Sequence, residues 1–210
     1  MLLAMEAVEA LRALGVSTVY EAGGREGLVD VPLTRLVPDS RAAGPARTVR
    51  CGQDDNLMVH AVMAEAQPGE VLVLTMPEPR PVALVGDILA LQARVRGVAA
   101  VLVDAACRDA DELRELGLPI WCRYIRSTGA AKATPGSLNE PVMVGGVWIN
   151  PGDIVVLDGD GAVVVRPARL DEVVAASRAR ATREEQLRER LLRGELTYDV
   201  HGLRRVVEGG

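Results

Sequence analysis

The sequence predicts an α/β domain built in layers around a mixed β-sheet, and two observations carry that prediction. Through the middle of the chain, buried-strand patterns alternate with helical ones. Toward the end, apolar segments follow one another through tight turns as a meander, which adds antiparallel pairing to the parallel pairing implied by the alternation. Hydrophobic residues make up 49% of the 210-residue chain, enough for a sizeable core. There is no Phe, so Val, Leu and Ala must fill it.

The elements follow in order. Leu3, Ala7, Ala10, Leu11 and Leu14 recur at helical spacing, and Gly15 closes the helix. Ser17 opens a second short helix through Ala22, stopped by Gly23-Gly24. Val29 to Val37 alternates as a strand, with Pro32 placing it at a sheet edge, and Ala46 to Cys51 forms another. "DDNLMVHAVMAEA" (54–66) reads as a helix ended by Pro68-Gly69. Glu70 to Met76 is a buried strand and "PEPRP" a stiff loop. Val85 to Val95 is a helix entered through Gly86-Asp87 and closed by Gly97. "VAAVLVD" (98–104) is the next buried strand, "DADELREL" (109–116) a short helix and "LPIWCRY" (118–124) a strand. "STGAAKATPGSLNE" (127–140) is a loop of small residues. Three strands follow, "PVMVGGVWI" (141–149), "DIVVLD" (153–158) and "GAVVVRP" (161–167), joined by Asn150-Pro151-Gly152 and Gly159-Asp160-Gly161. Gly145-Gly146 reads as a bulge or a close approach.

A charged helix of about 23 residues runs from Leu170 to Leu192 and ends at Gly194. Its apolar positions (Val173, Val174, Leu187, Leu191) are too few to bury it all round, so it is expected to lie across a neighbouring subunit. No repeat or low-complexity linker divides the chain. Residues 1–168 are read as the α/β domain and 169–210 as its helical extension.

Composition narrows the function. A net charge of −5 makes nucleic acid a poor default partner. Three scattered cysteines without a C-x-x-C pair argue against a disulfide framework or a structural zinc site. The N-terminal "MLLAMEAVEALRALG" carries Glu6 and Glu9 within its apolar pattern, which suits an amphipathic helix and not a signal peptide. No apolar run reaches the roughly 20 residues that span a bilayer. A cytoplasmic protein without a membrane partner is expected. No G-x-G-x-x-G follows a strand, which counts against a dinucleotide enzyme.

Three features point to one chemistry. Gly86-Asp87 opens a helix whose first-turn amides, those of Ile88 and Leu89, are free to bind a carboxylate. Arg108 can hold a carboxylate or keto oxygen in two-point fashion. Asp87 and Asp109 offer the hard oxygens that suit Mg²⁺ or Mn²⁺. If the intervening strand and helix are regular, all three fall on one edge of the sheet, where open α/β sheets bind ligands. That set suits a 2-oxo acid: a metal chelating its carboxylate and keto oxygen would stabilise the enolate left by C3–C4 cleavage. The bland reading is that Arg108 and Asp109 are surface charges, or that Asp109 caps the helix after it. His60 lies in an apolar helical pattern and reads as a core or interface residue, and Cys107 reads as small filler.

"GDILALQARVRGVAAVLVDAACRD", in which Asp87 is followed by 20 residues and then Arg108-Asp109, resembles the signature of the RraA-like family. "DDNLMVHAVMAEAQPGEVLVL" and "PVMVGGVWINPGDIVVLDGDGAVVVRP" are similar to two further segments of that family. The family includes the class II pyruvate aldolases that act on 4-hydroxy-4-methyl-2-oxoglutarate and 4-carboxy-4-hydroxy-2-oxoadipate. The resemblance implies a β/β/α swivelling-type fold assembled as a trimer or dimer of trimers. It implies a metal-dependent lyase that also decarboxylates oxaloacetate. By the same resemblance, backbone amides of Gly86 to Leu89 line the pyruvate site and Arg108 binds pyruvate oxygens. Asp109 holds the metal, and Asp87 positions metal-bound water for proton transfer. Aldolase members carry a C-terminal helix whose Glu reaches a neighbouring subunit's site; here Glu184 or Glu185 is the candidate. The alternative within the family is a regulator that binds an RNA-degrading endonuclease or another protein without catalysis. The chain differs from the family pattern at Ala105, where Gly is usual after Asp104, at Glu21, where Asp is usual, and in the tail from Tyr198.

Overall fold

The computed structural model describes the backbone of residues 2–209 and the side chains from Met5 to Gly209. In chain order the helices are α1 (Leu2–Leu14), α2 (Val16–Ala22), α3 (Leu57–Val62), α4 (Asp87–Val95), α5 (Ala110–Leu116), α6 (Leu170–Leu192), α7 (Thr197–Val200) and α8 (Arg204–Glu208). The strands are β1 (Thr34–Arg35), β2 (Ala42–Arg50), β3 (Val71–Thr75), β4 (Ala83–Val85), β5 (Ala100–Cys107), β6 (Ile120–Ile125), β7 (Ser137–Leu138), β8 (Val142–Val144), β9 (Val147–Ile149), β10 (Ile154–Asp158) and β11 (Gly161–Val165).

Nine strands form one mixed sheet in the order β1-β6-β5-β3-β2-β10-β11, with β4 beside β5 and β7 beside β2. The pairs β2–β3, β3–β5, β4–β5 and β5–β6 are parallel, while β10 runs antiparallel to both β2 and β11. The long β2 is the joint: Ala42–Pro45 pair with β10, and Ala46–Arg50 pair with β3. The sheet nearly closes. Leu28 bridges to Val163 on one edge strand, and six residues later Thr34–Arg35 pair with β6 on the other. Trp121 Nε1 helps the closure by donating to the Asp158 carbonyl at 2.8 Å.

Burial explains why each strand reads as a continuous apolar run. One face, with Leu72, Leu74, Val101 and Val103, packs under α3, α4 and α5. The inner face, with Val71, Val73, Leu102 and Trp121, packs around the β8–β9 hairpin. On the outer side of β10–β11, Val156 and Val163 meet Leu11 of α1, Val19 of α2 and Val173 of α6. Strands covered on both faces lose the alternation that marks a half-exposed strand.

Several expectations need correction. Val29 to Val37 is no strand beyond Thr34–Arg35, because its role is to cross between the two sheet edges. The helix read over 54–66 is confined to Leu57–Val62, since Asp54–Asn56 instead bind the 131–134 loop. "PVMVGGVWI" is a hairpin, β8 and β9, that forms its own two-stranded sheet. Its turn uses Gly145 and Gly146 at φ 52° and 78°. The close approach expected there is real, since a Cβ on Gly145 would lie 2.7 Å from Asp30 N. The strand read over 98–104 runs on to Cys107, through a one-residue bulge between Val103 and Ala106. β4 and β7 were not expected at all. The long helix over Leu170–Leu192 and the α/β mixed-sheet class stand.

Candidate active site

β4 and β5 run parallel, so both end at the same edge of the sheet. The Arg108 amide donates to the Val85 carbonyl at 3.0 Å, which seats Arg108 beside Gly86 as the chain enters α4. Here a side chain is excluded: a Cβ on Gly86 would lie 2.5 Å from Asp109 Oδ2 and 3.1 Å from Arg108 Nε. Gly86 is therefore needed for room and not for its backbone angles, which are extended at φ −127°.

Asp109 bears on one part of the bland reading of the Arg-Asp pair, the capping of the helix after it. It occupies the N-cap position of α5, but its side chain makes no capping bond. Its backbone is left-handed, at φ 57° and ψ 48°. That conformation turns the carboxylate back toward α4, where Oδ2 accepts the Asp87 amide at 3.2 Å and lies 3.5 Å from Arg108 Nε. Asp109 thus leaves its own helix uncapped, and its carboxylate accepts the first amide of α4 instead. Its side chain is 33% exposed, so one face remains open.

A cleft of about 220 Å³ opens beside this pair; Arg108 lines it, and Asp109 stands behind Gly86 and Asp87 and is not among the residues that line it. Gly86, Asp87, Ile88, Leu89 and Arg108, the expected substrate contacts, all line it. Ile88 and Leu89 contribute first-turn amides that have no carbonyl one turn back to bond. Asn56, His60 and Lys132 line it as well. The core alternative for His60 is thus corrected: the residue is exposed at the cleft, because α3 buries Val59 and Val62 and leaves His60 off that face. Lys132 is the chain's single lysine among 24 cationic side chains.

The far wall is the loop after β6, strapped at both ends. Ala83 N donates to Thr128 O at 2.7 Å, Ala131 N to Asp54 O at 2.9 Å, and Asn56 N to Ala131 O at 2.9 Å. The fully buried Asp55 carboxylate accepts the amides of Leu57 (2.8 Å), Ala133 (2.7 Å) and Thr134 (2.8 Å). Burial alone would raise its pKa, yet these amides together hold it below the usual aspartate value. Behind the wall, Asp104 and Arg123 form an ion pair at the β5 bulge; burial raises the Asp104 pKa and Arg123 opposes that rise. Cys107 is filler as expected, fully buried against Cys122, which together with burial holds its thiol well above the ordinary value.

The carboxylates near the cleft are few. Asp87 is shared with a shallower hollow lined by Glu112 and Glu115, neither of which the sequence reading singled out. No group of three or more His, Cys, Asp or Glu side chains is gathered for a metal among the described residues. One or two carboxylates with open faces do not make a zinc cage, but they fit Mg²⁺ or Mn²⁺, which keep several waters and share a site with their substrate. Glu184 and Glu185 are not brought to the cleft within the chain. Glu184 Oε1 lies 2.8 Å from Arg180 Nε, and Glu185 pairs with Arg188 at 3.1 Å.

A mixed sheet closed nearly to a barrel, with an Arg-Asp pair against a glycine helix start, defines the class of protein. Residues 11–164 match the family described as RraA-like (Aldolase/RraA), and the chain belongs to that family. A protein of Halalkalibacterium halodurans named "Putative 4-hydroxy-4-methyl-2-oxoglutarate aldolase" is 35% identical over 84% of this chain and 85% of its own. Among solved structures, an uncharacterized protein from Pseudomonas syringae pv. tomato superposes with a TM-score of 0.81 at 25% identity, covering 91% of this chain and 94% of its own. A Streptomyces coelicolor protein, titled an unusual member of the RNase ES inhibitor RraA protein family, superposes at 0.73 with 34% identity, covering 87% and 96%. No helix of the described residues is long and apolar enough to cross a membrane.

Proposed function

We propose that the protein is a divalent-metal-dependent lyase that cleaves 4-hydroxy-2-oxo diacids of the 4-hydroxy-4-methyl-2-oxoglutarate type to pyruvate and a second oxo acid. The observation that carries this reading is the Asp109 carboxylate, turned back against Asp87 N beside Arg108 and not spent on its helix. The name of the 35%-identical relative supports it.

The residues divide the work as follows. The amides of Ile88 and Leu89 receive the pyruvyl carboxylate. Arg108 donates to the keto oxygen, where charge builds as the C3–C4 bond breaks and its electron pair moves onto C3. Asp109, with Asp87 nearby, would hold Mg²⁺ or Mn²⁺, which supplies further electrophilic stabilisation of that oxygen. Asp87 handles the water-borne proton that leaves the 4-hydroxyl and is later returned to C3. The same enolate forms when oxaloacetate loses CO₂, so decarboxylation of oxaloacetate is expected alongside.

The assembly belongs to the proposal. No residue of α6 beyond Ser177 is buried by its own chain. α4 turns Ile88, Leu91 and Val95 outward at helical spacing right beside the cleft. A homotrimer or dimer of trimers in which one subunit's α6 brings Glu184 or Glu185 to the next subunit's cleft uses both surfaces. The likeness to the Streptomyces coelicolor protein of the RNase ES inhibitor RraA family favours a second reading, a regulator that acts by binding an RNA-degrading enzyme.

The test is pyruvate release from oxaloacetate and from 4-hydroxy-4-methyl-2-oxoglutarate, with Mg²⁺ or Mn²⁺ and with a chelator. Metal-dependent release from both is expected. Silence on both, with a stoichiometric protein partner, would establish the regulator reading instead.

A further inference from the structure

Asn56 lines the cleft and is only 7% exposed. Its amide is oriented by one bond, from Nδ2 to the Leu84 carbonyl at 3.0 Å. Turning the amide over would set oxygen against oxygen, so that carbonyl fixes which end is which. The backbone leaves it no freedom either: Asn56 N donates to Ala131, and its carbonyl accepts the amides of Val59 and His60. Oδ1 is then a buried acceptor, held in place, with no hydrogen-bond partner. Such atoms are rare in folded proteins and call for a reason.

The neighbouring groups sharpen what that reason is. Arg108 and Lys132 can only donate, and they serve the anionic oxygens of a 2-oxo acid. An acceptor beside them has no use for a carboxylate or a keto group. It has use for a ligand that carries a donor, and the donor that a 4-hydroxy-2-oxo acid carries is its hydroxyl.

We propose that Asn56 Oδ1 accepts a hydrogen bond from the ligand hydroxyl and so selects hydroxylated 2-oxo acids over those without one. This rests on the reading of the cleft as an oxo-acid site, and adds to it the residue that separates the two reactions. Oxaloacetate has no hydroxyl and gains nothing from Asn56. The amide oxygen is no base, and a hydroxyl held by it must surrender its proton elsewhere before the C3–C4 bond breaks. The contact therefore belongs to docking, and its loss raises KM more than it lowers kcat.

The experiment compares wild type with Asn56→Leu in Mg²⁺, with oxaloacetate and 4-hydroxy-4-methyl-2-oxoglutarate as substrates. Expected is a rise of about tenfold or more in KM for the hydroxylated substrate, the scale of one hydrogen bond to a fixed polar group. The oxaloacetate constants should move by less than about twofold on the same principle. Equal losses on both substrates, or no change on either, overturn the proposal. If Asn56→Leu does not fold, wild type decides by competition against oxaloacetate: 4-methyl-2-oxoglutarate, which lacks only the hydroxyl, should compete about tenfold more weakly than its hydroxylated counterpart. Equal competition overturns the proposal. Where no pyruvate is released, calorimetric titration of the same compounds replaces the assay. A hydroxyl preference that disappears in the variant then keeps Asn56 as the selector while removing the lyase. No binding of any compound removes the oxo-acid reading, and the selector with it.

Discussion

At the scale of single residues, Gly86 and Asp55 make the sharpest cases. A methyl group on Gly86 would collide with the side chains of Asp109 and Arg108, at Oδ2 and Nε, and not with backbone. Gly86→Ala should therefore fold, with a melting temperature near wild type, and lose about a hundredfold or more in pyruvate release, the scale of losing a group aimed at developing charge. A variant that keeps full activity would mean that Arg108 and Asp109 do not act from where they stand. Asp55 is a stability argument. Its folded-state pKa is depressed, so its stabilisation is present above the unfolded pKa and is lost as pH falls through the folded value. Urea unfolding should show stability dropping below about pH 4, and Asp55→Asn should cost about 3 kcal/mol at neutral pH while flattening that drop. The Arg108-Asp109 pair was legible in the sequence because its chemistry sits in adjacent residues at a fixed distance from Asp87. Asn56 and Lys132 were not, because only the parallel sheet and the strapped loop bring positions so far apart in the chain to one cleft.

At the scale of elements, the pattern that could be read was the one with length. The 23 residues of α6 match its expected bounds, because a long charged helix carries its own periodicity and its own stop. Short elements have no such signal. β4 is three residues long, follows a proline-rich loop, and exists because β5 offers it a free edge. The β8–β9 hairpin was hidden for a different reason: both strands are apolar, and Gly145-Gly146 fits a bulge as well as a turn. The crossing segment from Leu28 to Arg35 alternates like a strand, yet the ladder it needs is occupied except at its two ends. β5 is the element on which the site depends. Its bulge lets the strand carry on to Cys107, and the Asp104–Arg123 pair holds the bulge from the inner side.

At the scale of the whole molecule, the body and the extension are built on different terms. The body closes on itself, with three hydrophobic clusters that leave little of the sheet in contact with water. Among the described residues, none of the extension beyond Ser177 is fully buried in its own chain. Removing residues 178–210 should lower the melting temperature by no more than about 3 °C. It should also abolish metal-dependent pyruvate release and shift the sedimentation coefficient toward a smaller assembly. A truncated protein that keeps full turnover would show that α6 supplies nothing to a neighbouring cleft. The central claim, that Asp109 gave up its capping role to hold a metal for an oxo acid, has one direct measurement. Asp109→Asn keeps a residue tolerant of the left-handed backbone while removing the charge. Wild type and Asp109→Asn should be assayed together for Mg²⁺- or Mn²⁺-dependent pyruvate release from oxaloacetate, with melting temperatures taken in parallel. The expected result is a loss of about a hundredfold or more at an unchanged melting temperature. Undiminished metal-dependent release from the folded variant would contradict the claim.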